Sequence, residues 1–278
     1  SFATRHPRVP MRVEQVSLQM MNMTARMPFR YGIAKMTVVP HVFLRVLLSD
    51  GQRQAWGMAA DHLPPKWFTK NPATPFRQEI NEMLAVHQQA MASLEAIRYG
   101  DSVFDLWWQV YQRQRPWATE RGLPPLLAGF GPALVERALM EAYCRLRGHS
   151  FHTELRGGAF GLQLGLIHPE LRDQTVADLL PAEPLRQLTV RHTVGLSDPL
   201  TPEDISPGDR VNDGLPQSLL EAIRHYGLTH FKIKLMGDAV KDQERLTKIA
   251  ALLEAEVGDN YAFTLDGNEQ YQELRPFR

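Results

Sequence analysis

Polar and apolar positions alternate through the first sixty residues. Val13, Val16 and Leu18 open one run, residues 42–48 form a second and residues 54–60 a third. Alternation with period two marks half-buried strands. Ser49-Asp50-Gly51 between the last two runs is a turn signal, so the pattern predicts an antiparallel meander. From Phe76 the period lengthens. Ile80, Leu84, Met91 and Leu94 fall at helical spacing within Phe76–Ile97, and Tyr99-Gly100-Asp101 breaks the run. Residues 103–113 predict a second helix through Phe104, Leu106, Trp107 and Tyr111. Pro124, Pro125, Gly129 and Gly131 predict a loop. Residues 133–147 then carry Val135, Leu139, Ala142 and Leu146 along one stripe, with Gly148 just past the end. No period holds from 156 to 185. The glycines at 157, 158, 161 and 165 match neither a dinucleotide nor a phosphate-loop pattern, and they predict loop or close packing.

From residue 188 strands and helices alternate. Residues 188–196 predict a strand. Residues 216–226 predict a helix with Leu219, Leu220 and Ile223, ended by Gly227. Residues 229–235 predict a second strand. Asp238 is placed to cap a helix whose stripe is Val240, Ile249, Leu252, Leu253 and Val257, ended by Gly258. Residues 261–265 predict a third strand. Strand–helix–strand repetition implies a parallel sheet, open or barrel. Three strands do not close a barrel of eight.

Composition narrows the partners. The chain has 278 residues, 44% of them apolar, which supplies a sizeable core. Lys plus Arg and Asp plus Glu both total 31, so neither nucleic acid nor an anionic membrane is expected as a partner. No apolar run reaches the roughly 18–20 residues that span a bilayer. The first ten residues lack the apolar core of a signal peptide, and a cytoplasmic protein is expected. Cys144 is the only cysteine, which excludes a disulfide framework and a cysteine-based metal site.

Two short stretches carry candidate chemistry. In Phe231-Lys232-Ile233-Lys234-Leu235, strand alternation puts Phe231, Ile233 and Leu235 on one face and both lysines on the other. Two ammonium groups held together repel, which favours the neutral amine a base needs. Arginine could not serve, because it keeps its proton. The chain has seven lysines against 24 arginines, so two on one short apolar strand stand out. The plainer reading is an edge strand with a solvated face. In the second stretch, Thr264, Asp266 and Asn268 share a face. Asp266 lies 32 residues after Lys234, one β/α repeat later. A carboxylate at a strand end is a natural oxygen ligand for Mg²⁺; the plainer reading is an Asp-Gly-Asn turn.

A Lys-x-Lys strand followed one repeat later by Asp-x-Asn resembles the muconate-lactonizing and mandelate-racemase branches of the enolase superfamily. Met27-Pro28-Phe29-Arg30-Tyr31-Gly32 resembles the mobile specificity loop of that family's capping domain. Ala55-Trp56-Gly57-Met58-Ala59-Ala60 resembles the end of its meander, and residues 133–147 its transition into the barrel. The resemblance implies an α+β capping domain over 1–130, followed over 131–278 by an α/β (β/α) TIM-type barrel. Only about the first three barrel strands are in this chain.

It further implies an isomerase or lyase that removes a proton alpha to a carboxylate, with Lys234 as general base and Lys232 beside it. Asp266 is then the first Mg²⁺ ligand. Asn268, Tyr31 and His62 are the expected substrate-site residues, with Lys66 and Trp67 near His62. The partner expected is a small-molecule carboxylate substrate, and the protein a homo-oligomer. Racemisation, epimerisation and cycloisomerisation fit the lysine pair; an acid-sugar dehydratase, a Schiff-base lysine enzyme and a non-catalytic relative are the alternatives. That family draws two further acidic ligands and a second acid/base from later strands, and none of these is in this sequence. The long polar segment 197–214 is expected at the same face. His192 is open to either face.

Overall fold

The computed structural model describes residues 10–273 and 275. β1 (Met11–Tyr31), β2 (Ala34–Ser49) and β3 (Gln54–His62) form the expected meander. β2 and β3 pair antiparallel from His41 opposite His62 to Ser49 opposite Gln54. In β2, Val42, Leu44, Val46 and Leu48 are fully buried, which is the period-two pattern realised as one core face. The helix breaks at Tyr99-Gly100-Asp101 as expected, and within the break lies a two-residue strand, β4 (Tyr99–Gly100), paired antiparallel with Arg12 and Met11. The sheet order is β3-β2-β1-β4.

α1 (Phe76–Ile97) has the predicted bounds. α2 (Val103–Glu120) is capped by Ser102, whose hydroxyl accepts from the Asp105 N–H, and it runs on through Pro116. α3 (Pro125–Arg147) corrects the loop expected at 124–131. Pro125 sits at the first helical position, where a missing N–H costs nothing. Gly131 serves a close helix crossing rather than a break: a Cβ there would lie 2.1 Å from the Val86 carbonyl oxygen of α1. Gly148, at φ 73°, ends the helix as expected. Leu44, Leu48, Val86, Leu94, Leu106, Leu134 and Leu139 belong to one buried cluster joining sheet and helices. α4 (Phe151–Arg156), α5 (Leu164–Ile167) and α6 (Val176–Leu179) are short turns in the stretch read as irregular.

The chain divides into two compact units. One comprises residues 10–23 and 39–184; the other comprises 24–38 and 185–275. The boundary expected at 130/131 falls inside α3, whose buried stripe belongs to the first unit's core. The tip of the β1–β2 hairpin belongs to the second unit.

In that second unit, β5 (Arg191–Val194), α7 (Leu219–Tyr226), β6 (His230–Lys234), α8 (Ala239–Val257) and β7 (Ala262–Asp266) follow in order. The three strands are parallel, in the order β5-β6-β7. β5 is shorter than expected, and Leu188 and Val190 before it are exposed. Ser218 and Glu221 form a reciprocal cap on α7, and Asp238 caps α8. Phe231 and Ile233 pack with Ile223, Ile249 and Leu253. Burial of that face contributes about 1.5–3 kcal/mol per large side chain and fixes which residues are left for the other face.

Candidate active site

The register sets the site. Lys232 lies opposite Thr193 on one side and Thr264 on the other, and Lys234 lies opposite Asp266. Because Phe231 and Ile233 fill the packed face, both lysines point from the other one. Their amino groups converge on a single oxygen, each Nζ 2.7 Å from Asp266 Oδ2. Lys234 also donates to Asn268 Oδ1 at 2.6 Å. The Asp266 backbone carbonyl accepts from the Leu235 N–H at 2.9 Å, which ties the two strand ends together. Lys234 is buried, whereas Lys232 and Asp266 are about a quarter exposed. Burial alone would raise the Asp266 pKa. The hydrogen bonds from Lys232 and Lys234 outweigh it and hold the carboxyl well below the usual range.

The turn after β7 is unusual. Asn268 and Glu269 take φ of 45° and 63°, left-handed values that are costly for Glu in particular. The Asn268 N–H donates to Asp266 Oδ1, and its carbonyl accepts from Gln270 Nε2. Tyr31 is buried at the hairpin tip. Next to it, a Cβ on Gly32 would lie 3.7 Å from the Asn268 Cβ, so the tip abuts this turn. Arg26, on the same hairpin, grips the loop after β5. It pairs with both Asp213 oxygens at 2.6 Å and donates to the Leu215 and Pro216 carbonyls. Those bonds hold the Asp213 carboxyl down to about 2.

Not every expected residue joins the cluster. His62 lies at the end of β3 in the first compact unit, its ring stacked on His41 at 6.0 Å. Lys66, expected near His62 at the substrate, is a staple, its Nζ bonded to the Asn71 and Thr74 carbonyls and 3.3 Å from Glu79 Oε1. His192 shares the face of Phe231 and Val194, and burial lowers its pKa. A cavity of about 530 Å³ between the 205–217 loop and α7 is lined by Arg210, Asp213, Gln217 and Arg224, and by none of the lysine–aspartate cluster.

Solved structures similar to this chain in fold form a consistent group. A mandelate racemase/muconate lactonizing protein from Herpetosiphon aurantiacus is 17% identical, with a TM-score of 0.53 over 98% of this chain and 56% of that one. An enolase from Bradyrhizobium, complexed with magnesium and mandelic acid, is 15% identical, with a TM-score of 0.55 over 94% and 55%. The L-Ala-D/L-Glu epimerase from Bacillus subtilis, in a substrate-liganded complex, is 16% identical, with a TM-score of 0.53 over 93% and 54%. The fold is that of the mandelate racemase/muconate lactonizing group. The chain spans about half the length of these structures. No family model matches the sequence, and no curated protein does.

Within this fold the chain's own donors can be tested against a divalent cation. No group of three or more His, Cys, Asp or Glu side chains able to hold a metal occurs among the described residues. Asp266 offers a single carboxylate whose Oδ2 already serves two lysines. Mg²⁺ prefers six oxygens, so these residues by themselves do not fit it. No helix among the described residues is long and apolar enough to cross a membrane. Sequence reasoning missed two features of the site. Asp242, buried in the first turn of α8, was overshadowed by Asp238 as the cap. Arg26 and Asp213 are 187 residues apart, and no local signal pairs them.

Proposed function

We propose that this chain carries the proton-abstracting half of an enzyme acting on small carboxylates. Lys234 is the general base, and it removes the proton from the carbon alpha to the substrate carboxylate. The C–H electron pair becomes a C=C bond to the carboxylate carbon, whose C=O π pair moves onto oxygen to give the enolate, and the proton stays on Lys234 Nζ. Lys232 remains beside it as a cation that binds the substrate carboxylate, and Asn268 orients the Lys234 amine. The observation that carries this reading is the meeting of Lys232 and Lys234 on one Asp266 oxygen at adjacent parallel strand ends. Strand ends of that kind are where this class of fold does its chemistry. A protein in this fold complexed with magnesium and mandelic acid, and another that is an epimerase, favour racemisation or epimerisation over dehydration.

Mg²⁺ is the cofactor we propose for the full site, with Asp266 as one ligand among oxygens beyond the described residues; when bound it supplies positive charge at the carboxylate. A homo-oligomer and a role for Tyr31 at the substrate belong to the same proposal. The test is α-deuterium exchange in D₂O, read by NMR. The panel is N-acyl amino acids, dipeptides, 2-hydroxy acids and acid sugars, with Mg²⁺ present. Exchange that needs Lys234 supports the reading. Trapping of Lys234 by borohydride with a carbonyl substrate, without exchange, replaces it with Schiff-base chemistry.

A further inference from the structure

The turn that carries Asn268 is strained, and its hydrogen bond to Lys234 requires it to stay in place. The residues holding it there lie outside the lysine–aspartate cluster. Asp242 is buried at 3% exposure. Its carboxylate accepts from the Met236 N–H at 3.0 and 3.2 Å, from the Gly237 N–H at 3.0 Å and from the Tyr271 hydroxyl at 2.8 Å. One side chain therefore fixes both the segment leaving β6, two residues past Lys234, and the segment leaving β7, three residues past Asn268. The two segments also touch directly. Gly237, at φ 88°, lies so close to Gln270 that a Cβ there would approach the Gln270 Cβ to 2.7 Å. Helix capping does not account for Asp242, because Asp238 already caps α8 through the Lys241 N–H. A buried carboxylate costs desolvation, and here that cost is met by bonds that tie the two segments together.

We propose that Asp242 and Tyr271 form the positioning pair that sets where the Lys234 amino group sits, by holding the Asn268 turn against the end of β6. This rests on Lys234 being the base, but its geometry does not. Without the Tyr271 hydroxyl the positive-φ turn relaxes, Asn268 Oδ1 leaves Lys234 Nζ, and the amine is held by Asp266 alone. The pair touches neither substrate nor reacting atoms and acts through Asn268.

The test combines two readouts on the 278-residue chain. Competitive labelling with acetic anhydride across a pH range, read by mass spectrometry, reports the reactivity of Lys234 against the exposed Lys248 as internal reference. In Tyr271→Phe, Lys234 labelling should rise about tenfold relative to Lys248, the value of one hydrogen bond to a charged group. The unfolding temperature should stay within about 4 °C. On any panel substrate that exchanges, α-deuterium incorporation should fall about ten- to a hundredfold, as expected for a displaced base. Asp242→Asn carries the same test should Tyr271→Phe not fold. Unchanged Lys234 labelling in a folded variant overturns the positioning role, whatever the exchange result. Altered labelling supports the positioning role even where wild type exchanges no substrate; that absence bears on the proposed reaction in this chain and not on the pair.

Discussion

Two lysine–carboxylate clusters in this molecule look alike in composition and differ in balance. Between β3 and α1, the single ammonium of Lys66 has the Asn71 and Thr74 carbonyls and Glu79 around it. Glu79 in turn accepts from the Thr69 hydroxyl at 3.1 Å. At the end of β6, two ammonium groups share one carboxylate oxygen, with a single amide oxygen besides. The first cluster has an acceptor for each of its cation's three donors and is a mechanical staple. The second is short of acceptors, so a substrate carboxylate would find unmet positive charge there. His87 marks the far end of the same series. It is fully buried against Phe130 at 4.4 Å, and neither ring nitrogen has a hydrogen-bond partner among the described residues. What separates the two clusters is the count of oxygens within reach among the described residues, not burial.

The strongest way to break this contrast is Lys234→Arg, which keeps the charge but cannot yield a proton. Proton exchange should fall about 10²- to 10⁴-fold, the usual worth of a general base, with the unfolding curve unchanged. Loss of stability with exchange intact would make Lys234 a second staple. Lys66→Met should do the reverse. It strands the Glu79 charge in a buried site, so urea unfolding should show a loss of about 3–5 kcal/mol while exchange per folded molecule holds.

The imidazole with no acceptor gives the next effect. Burial, with a smaller push from Arg137 and partly offset by Asp61, lowers the His87 pKa from 6.5 to about 4. The folded state then binds fewer protons than the unfolded state between those values. Stability is therefore full above pH 6.5 and falls as the pH drops toward 4, by about 3 kcal/mol at 1.36 kcal/mol per unit. In His87→Leu that segment of the stability–pH curve should be flat. The smallest effect sharpens the acceptor-poor side. Lys232→Met leaves Asp266 with one cation, and its carboxyl midpoint should rise toward the ordinary Asp range, read by ¹³C NMR.

Much of this was legible along the chain. The meander, α1, the end of α3 and the three later strands follow from periodicity, because one face of each element is buried and the register cannot slip without exposing it. The face shared by Lys232, Lys234 and Asp266 was readable for the same reason. What escaped was decided by contacts distant in sequence. Gly131 reads as a breaker until the Val86 backbone is seen against it. Pro124, Pro125, Gly129 and Gly131 read as a loop, where tertiary packing continued a helix through them. Lys66 and His62 looked alike as loop residues, and only the Glu79 carboxylate, thirteen positions beyond Lys66, gives one of them its structural role.

The Arg26 clasp has a consequence for how the protein is made. Its acceptor Asp213 lies 187 residues downstream. At about 5–20 residues per second, a ribosome needs roughly ten to forty seconds to deliver that partner after the hairpin has emerged. The strands of the meander find their neighbours early, but the tip from 24 to 38 is assigned to a unit not yet synthesised. During that interval the nascent hairpin lacks its Asp213 acceptor, so the Arg26 clasp closes only after residue 213 has left the ribosome.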